Sequence, residues 1–99
     1  MIGIYKIENK ITGEIYIGQS KNIEARWESH RRNATAKDKV RKYALYREIR
    51  RYGINSFEFS VLEECPQFKL DERESYWIEY YSNKIHLYNI KMPKGAVRK

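Results

Sequence analysis

The sequence predicts a small α+β domain in the order β-β-α-α-β-α, with a three-stranded, mainly antiparallel sheet and flanking helices. Three observations carry this. Two short runs of alternating side chains stand on either side of a glycine-bearing turn. Two segments with helical apolar spacing follow. A third alternating run then precedes a last amphipathic segment.

The elements follow in order. Ile2-Gly3-Ile4-Tyr5-Lys6-Ile7 alternates as a strand does, and Glu14-Ile15-Tyr16-Ile17-Gly18 is a second β-rich run. Thr12-Gly13 breaks the chain between them, so the pair reads as an antiparallel hairpin. Ser20 or Asn22 caps a helix running to about Arg32, whose core-facing arc holds Ile23, Arg26, Trp27 and His30. Residues 33–38 are polar and read as a loop. Lys39 to Tyr52 forms a second helix with Leu45, Ile49 and Tyr52 on one side, and Gly53 supplies a left-handed stop. Phe57 to Leu62 is the third strand. The last helix runs from near Phe68, after Pro66, to Tyr81, and Ile85 to Ile90 returns extended. Residues 1–92 make one domain, and 93–99 a flexible basic tail.

Composition narrows the function. At 99 residues there is room for one compact domain, and a 41% hydrophobic fraction excludes a disordered chain. No apolar run is long enough to span a membrane, and the N-terminus lacks a basic region followed by an apolar stretch. Cys65 is the only cysteine, so no internal disulfide forms, which fits the cytoplasm or another reducing compartment. The chain holds 20 Lys+Arg against 13 Asp+Glu, a net charge of +7. Arg26 to Arg51 alone holds 10 basic residues against Glu28, Asp38 and Glu48, so this stretch accounts for the whole excess. With Trp27, Tyr43 and Tyr46 interleaved, it has the footprint expected for a phosphate backbone. A solvated Lys/Arg-rich helix surface accounts for it equally well.

Several residues resist a purely structural explanation. Stepping about 100° per residue from Leu70 puts Trp77, Ile78, Tyr81 and Glu74 in one arc, with Asp71, Glu72, Ser75 and Glu79 on the polar side. A bare carboxylate on an apolar stripe is costly to bury and calls for a partner. A capping box from Asp71 to Glu74, an arginine ion pair, or a functional site would each supply one. Arg26 and His30 are i, i+4 neighbours, which suits a shared anion such as a phosphate. The plainer alternative pairs Arg26 with a carboxylate and leaves His30 neutral and partly buried. Tyr5 and Tyr16 make an ordinary cross-strand pair, yet Gly3 and Gly18 beside them mark close approach by a ligand or another backbone. One cysteine and the distant His30 and His86 make no zinc site. Any metal is then a hard, oxygen-seeking ion such as Mg²⁺, held by one carboxylate, waters and substrate phosphate.

Gly3-Ile4-Tyr5 and Tyr16-Ile17-Gly18 together spell GIY and YIG, and the chain resembles the GIY-YIG nuclease family. Arg26-Trp27 with His30 fits the family's first-helix pattern, and Phe57 to Glu64 its central strand. Glu72 to Ile78 looks like its last-helix motif and Tyr88-Asn89-Ile90 like its closing motif. The resemblance covers about residues 2–90 and is strongest to the catalytic domain of phage-type, intron-associated homing endonucleases.

The resemblance implies a DNA endonuclease that hydrolyses phosphodiesters with Mg²⁺, or Mn²⁺ as a substitute. It implies Glu74 as metal ligand, with Glu72 a poorer candidate. Arg26 would stabilise phosphoryl charge, and Tyr5, with Tyr16 beside it, would orient or deprotonate the attacking water. His30 would assist proton transfer or bind phosphate, Asn89 would fix the site, and Gly18 would let DNA approach. Duplex DNA is the implied partner, its backbone met by Arg31, Arg32, Lys39, Arg41, Lys42 and Arg47. The oligomeric state stays open, with a monomer compatible. A structure-specific nuclease on branched DNA and a non-catalytic binding module are the alternatives. Homing relatives usually carry a linker and a recognition region. A chain that stops nine residues after Ile90 is therefore expected to be an excised catalytic domain or a minimal nuclease.

Overall fold

The computed structural model describes residues 1–35 and 44–89. The expected Lys39, Arg41 and Lys42 contacts, Tyr43, and the tail at 93–99 lie outside these residues.

Strands β1 (Gly3–Asn9), β2 (Ile15–Ser20) and β3 (Phe57–Glu64) form one antiparallel sheet in the order β2-β1-β3. The hairpin is as expected, with Tyr5 opposite Gly18 and Ile7 opposite Tyr16. β3 joins the other side of β1 and reaches Glu64, two residues past the expected end, because its pairing continues to Gly3. The register slips between Ile4 and Tyr5, where β3 bulges.

Helix α1 spans Ile23–Thr35. It passes its expected end at Arg32 because Ala34 is buried in the core. Helix α2 is described over Ala44–Tyr52 and stops at Gly53, whose φ of +92° a side chain would resist. Helix α3 spans Leu70–Ser82, and a single 3-10 turn at Gln67–Lys69 replaces its expected first residues.

Strand alternation sorts the core onto the two faces of the sheet. Tyr5, Ile7 and Phe57 pack with Ile23, Leu45 and Ile49 of α1 and α2. Ile4, Ile15 and Ile17 pack with Leu70, Trp77 and Ile78 of α3. The sheet is thus a middle layer between helices. The closing segment lies along the outer edge of β2. Leu87 bridges Ile15 in parallel, and the Tyr88 N–H donates to the Ile15 carbonyl at 2.8 Å. Among the described residues, no helix is long and apolar enough to cross a membrane.

Candidate active site

The central strand points Tyr5 into the α1/α2 face, where it is fully buried. Its hydroxyl lies 2.7 Å from His30 Nε2, and His30 Nδ1 lies 2.9 Å from the Tyr46 hydroxyl. β1, α1 and α2 thus contribute one group each to a buried phenol–imidazole–phenol line. Trp27 stands edge-on to the Tyr5 ring at 6.2 Å, and Tyr16 of β2 packs edge-on to His30 at 5.5 Å. The charge of Arg26, on the same helix that carries His30, acts on the Tyr5 phenol.

Burial sets the electrostatics of this group. It pushes the Tyr5 phenol well above its ordinary range, with Tyr16 adding to the rise and Arg26 opposing it. It also pulls His30 down to about 4, helped by the Arg26 charge, so the imidazole is neutral at pH 7. Arg26 and His30 therefore do not form the pair of cations around an anion that their spacing allowed. Only Arg26 is charged, and His30 is engaged by phenols on both nitrogens. The Tyr5 side chain has no exposed surface in this arrangement.

Glu74 lies on the opposite face of the sheet, half-buried on α3 as its helical position foretold. Neither structural partner expected for it is present. The residue preceding α3 is Lys69, which makes no side-chain cap, and Arg73 instead binds Glu63 at 2.8 Å. Gln19 of β2 donates to both Glu74 Oε1, at 2.9 Å, and Asp71 Oδ1, at 2.8 Å. Burial raises the Glu74 carboxyl, the Gln19 hydrogen bond opposes this, and the Asp71 charge adds to it. Among the described residues Glu74 has no cationic partner. A cation brought to it would reverse both penalties. Among the described residues, no group of three or more His, Cys, Asp or Glu side chains could hold a metal ion.

The two halves converge on consecutive residues of one edge strand. Gly18 faces the Tyr5 ring and Gln19 faces Glu74. A Cβ on Gly18 would overlap Tyr5 Cζ and Oη. The glycine thus makes room for the Tyr5 ring. Gly3 is likewise filled by the Glu63 backbone of β3. Asn89 accepts from the Ile17 N–H and donates to the Ile17 carbonyl, both at 2.8 Å, as a neighbouring strand would. It holds the closing segment to β2 just before the Gly18–Gln19 step.

The basic residues divide. Arg31 and Arg32 are exposed on α1 but lie 3.9 Å and 4.0 Å from Glu28, and Arg31 also stacks over Phe59. Arg47 is exposed on α2. Tyr46 is buried against His30, so it does not belong to an exposed aromatic and basic surface. Sequence reasoning missed the roles of Tyr46, Gln19 and Asp71. Tyr46 adjoins the Leu45–Ile49 stripe, and strand alternation puts Gln19 on the Ile17 face, but neither signal reveals a hydrogen bond.

A three-layer domain with a phenol–imidazole–guanidinium cluster and an unneutralised carboxylate meeting at one strand edge defines a compact catalytic scaffold. The chain belongs to the GIY-YIG family, whose profile, described as the GIY-YIG catalytic domain, matches residues 1–89. It is 39% identical over 90 residues to intron-associated endonuclease 1 of Enterobacteria phage T4, a match spanning 89% of this chain and 36% of that protein. The chain therefore corresponds to about a third of that relative. Among solved structures, it is similar to the catalytic domain of homing endonuclease I-TevI at 33% identity and a TM-score of 0.73, covering 89% of this chain and 96% of that one. A mutant of the I-TevI catalytic domain gives 35% identity and a TM-score of 0.75, covering 90% and 92%.

Proposed function

We propose that this domain is a DNA endonuclease that hydrolyses phosphodiesters with a divalent metal, as its homing-type relatives imply. The observation that carries the reading is Glu74. It is a half-buried carboxylate without a cationic partner among the described residues, held by Gln19 beside Asp71. Glu74 would hold Mg²⁺, with Mn²⁺ as a substitute. The bound ion supplies Lewis-acid stabilisation of charge developing on a phosphoryl oxygen. Arg26, half-buried and always charged, would stabilise phosphoryl charge on the Tyr5 side of the β2 edge. Tyr16, half-buried beside His30, is better placed than Tyr5 to meet the attacking water. Tyr5 and His30 act behind it as an internal hydrogen-bonded unit. Asn89 keeps the β2 edge in register. Exposed Arg47 contributes affinity for the duplex backbone, with Arg31 and Arg32 contributing where Glu28 leaves them charge to spare.

The test uses supercoiled plasmid with the purified domain in Mg²⁺, in Mn²⁺ and in EDTA. Nicking in both metals and none in EDTA is expected. DNA that is retarded but never nicked at high protein concentration would make this a binding module. Preferential cutting of flaps or junctions over duplex would make it a structure-specific nuclease.

A further inference from the structure

The line Tyr5–His30–Tyr46 has a direction. His30 is neutral, so one ring nitrogen donates and the other accepts. Tyr5 is fully buried, and the nitrogen at 2.7 Å is the only hydrogen-bond acceptor its O–H has among the described residues. Were Nε2 to carry the proton, the Tyr5 O–H would be buried with nothing to accept it. Such an orphaned group costs about 1–3 kcal/mol. The constraint is met when Tyr5 donates to Nε2 and Nδ1–H donates to the Tyr46 oxygen, at the observed 2.9 Å; the Tyr46 O–H then turns elsewhere, and Tyr46 has a further interaction beyond this line.

We infer that Tyr46 is a positioning residue, which holds His30 in its Nδ1–H tautomer so that Nε2 accepts the Tyr5 hydroxyl proton. It acts through His30 and touches neither substrate nor metal. Its effect on the chemistry is to fix the direction of the Tyr5 O–H bond. Tyr5 reaches the cluster from β1, Tyr16 from β2, Arg26 and His30 from α1, and Tyr46 from α2, so docking of α2 becomes a condition of the site. The catalytic side of this assignment rests on the proposed nuclease reading. The tautomer does not.

The test is a two-bond proton–nitrogen correlation spectrum of the nitrogen-15-labelled domain at pH 7, with Tyr46→Phe and with His86→Gln to separate the two histidines. The parent is expected to show a protonated-type Nδ1 and a bare-type Nε2 at His30. In Tyr46→Phe, which keeps the ring and the core volume, protonation should redistribute toward Nε2. Metal-dependent nicking should fall about tenfold, the low end for losing a partner that orients a functional histidine. A parent His30 protonated at Nε2 overturns the assignment without any variant. So does a Tyr46→Phe imidazole indistinguishable from the parent's, or a redistributed tautomer with unchanged nicking. A parent that shows the Nδ1–H form but never nicks DNA strikes the nuclease reading and leaves the tautomer standing.

Discussion

Replacing Gly18 by alanine probes the junction of the site most directly. The added Cβ would lie 2.9 Å from Tyr5 Cε1 and overlap Cζ and Oη. The Tyr5 ring has little freedom to retreat. It is fully buried, its hydroxyl is fixed 2.7 Å from His30, and Trp27, His30 and Tyr16 pack around it with centroids at 6.2, 5.8 and 6.4 Å. Overpacking of this kind costs about 1–3 kcal/mol. Alanine is favoured over glycine in a strand by about 0.5–1 kcal/mol. The net expectation is a loss of about 1–2 kcal/mol, which lowers the urea midpoint by roughly 1 M for a domain of this size. Equilibrium urea unfolding followed by tyrosine and tryptophan fluorescence measures it. A midpoint that stays put or rises would show that the ring swings freely, and the rigid Tyr5–His30 unit would then be wrong.

Two further outcomes follow from the same geometry. Between pH 6.5 and about 4 the unfolded chain protonates His30 and the folded chain does not, so stability falls with pH by about 3 kcal/mol across that window. Glu74, raised by burial, acts in the opposite sense, so urea unfolding of His30→Gln against the parent isolates the histidine; parallel pH profiles would contradict its buried neutral state. Asn89→Ala leaves the Ile17 N–H and carbonyl without their 2.8 Å partners, which should cost about 1–3 kcal/mol and speed hydrogen exchange at the Ile17 amide. Unchanged exchange would show that the closing segment does not hold β2.

What was legible in the sequence were the local periods. Period two exposed the hairpin and β3, and the helical period placed Glu74 on an apolar stripe and His30 on the buried arc of α1. What escaped it were contacts between elements. That β3 adds beside β1 puts Tyr5 on the central strand and buries it, whereas a tyrosine on an edge strand would meet water. The i, i+4 spacing of Arg26 and His30 is silent about Tyr46, sixteen residues from His30, whose hydroxyl lies 2.9 Å from the imidazole Nδ1. The stripe marked Glu74 as anomalous, but the choice among cap, ion pair and free carboxylate depended on Gln19, fifty-five residues away in the chain. The family motifs pointed to the site residues without showing that the sheet separates Glu74 from Tyr5.

The proposed role of Glu74 is tested most directly by Glu74→Gln, which keeps the side chain's shape and an oxygen to accept from Gln19 but removes the charge. Single-turnover nicking of supercoiled plasmid in Mg²⁺ should fall by a factor on the order of 100 or more, since a metal-holding carboxylate is lost. Retardation of the same DNA should stay within about twofold, because the proposed backbone contacts at Arg31, Arg32 and Arg47 are left in place. Parent-like nicking by Glu74→Gln would contradict the account.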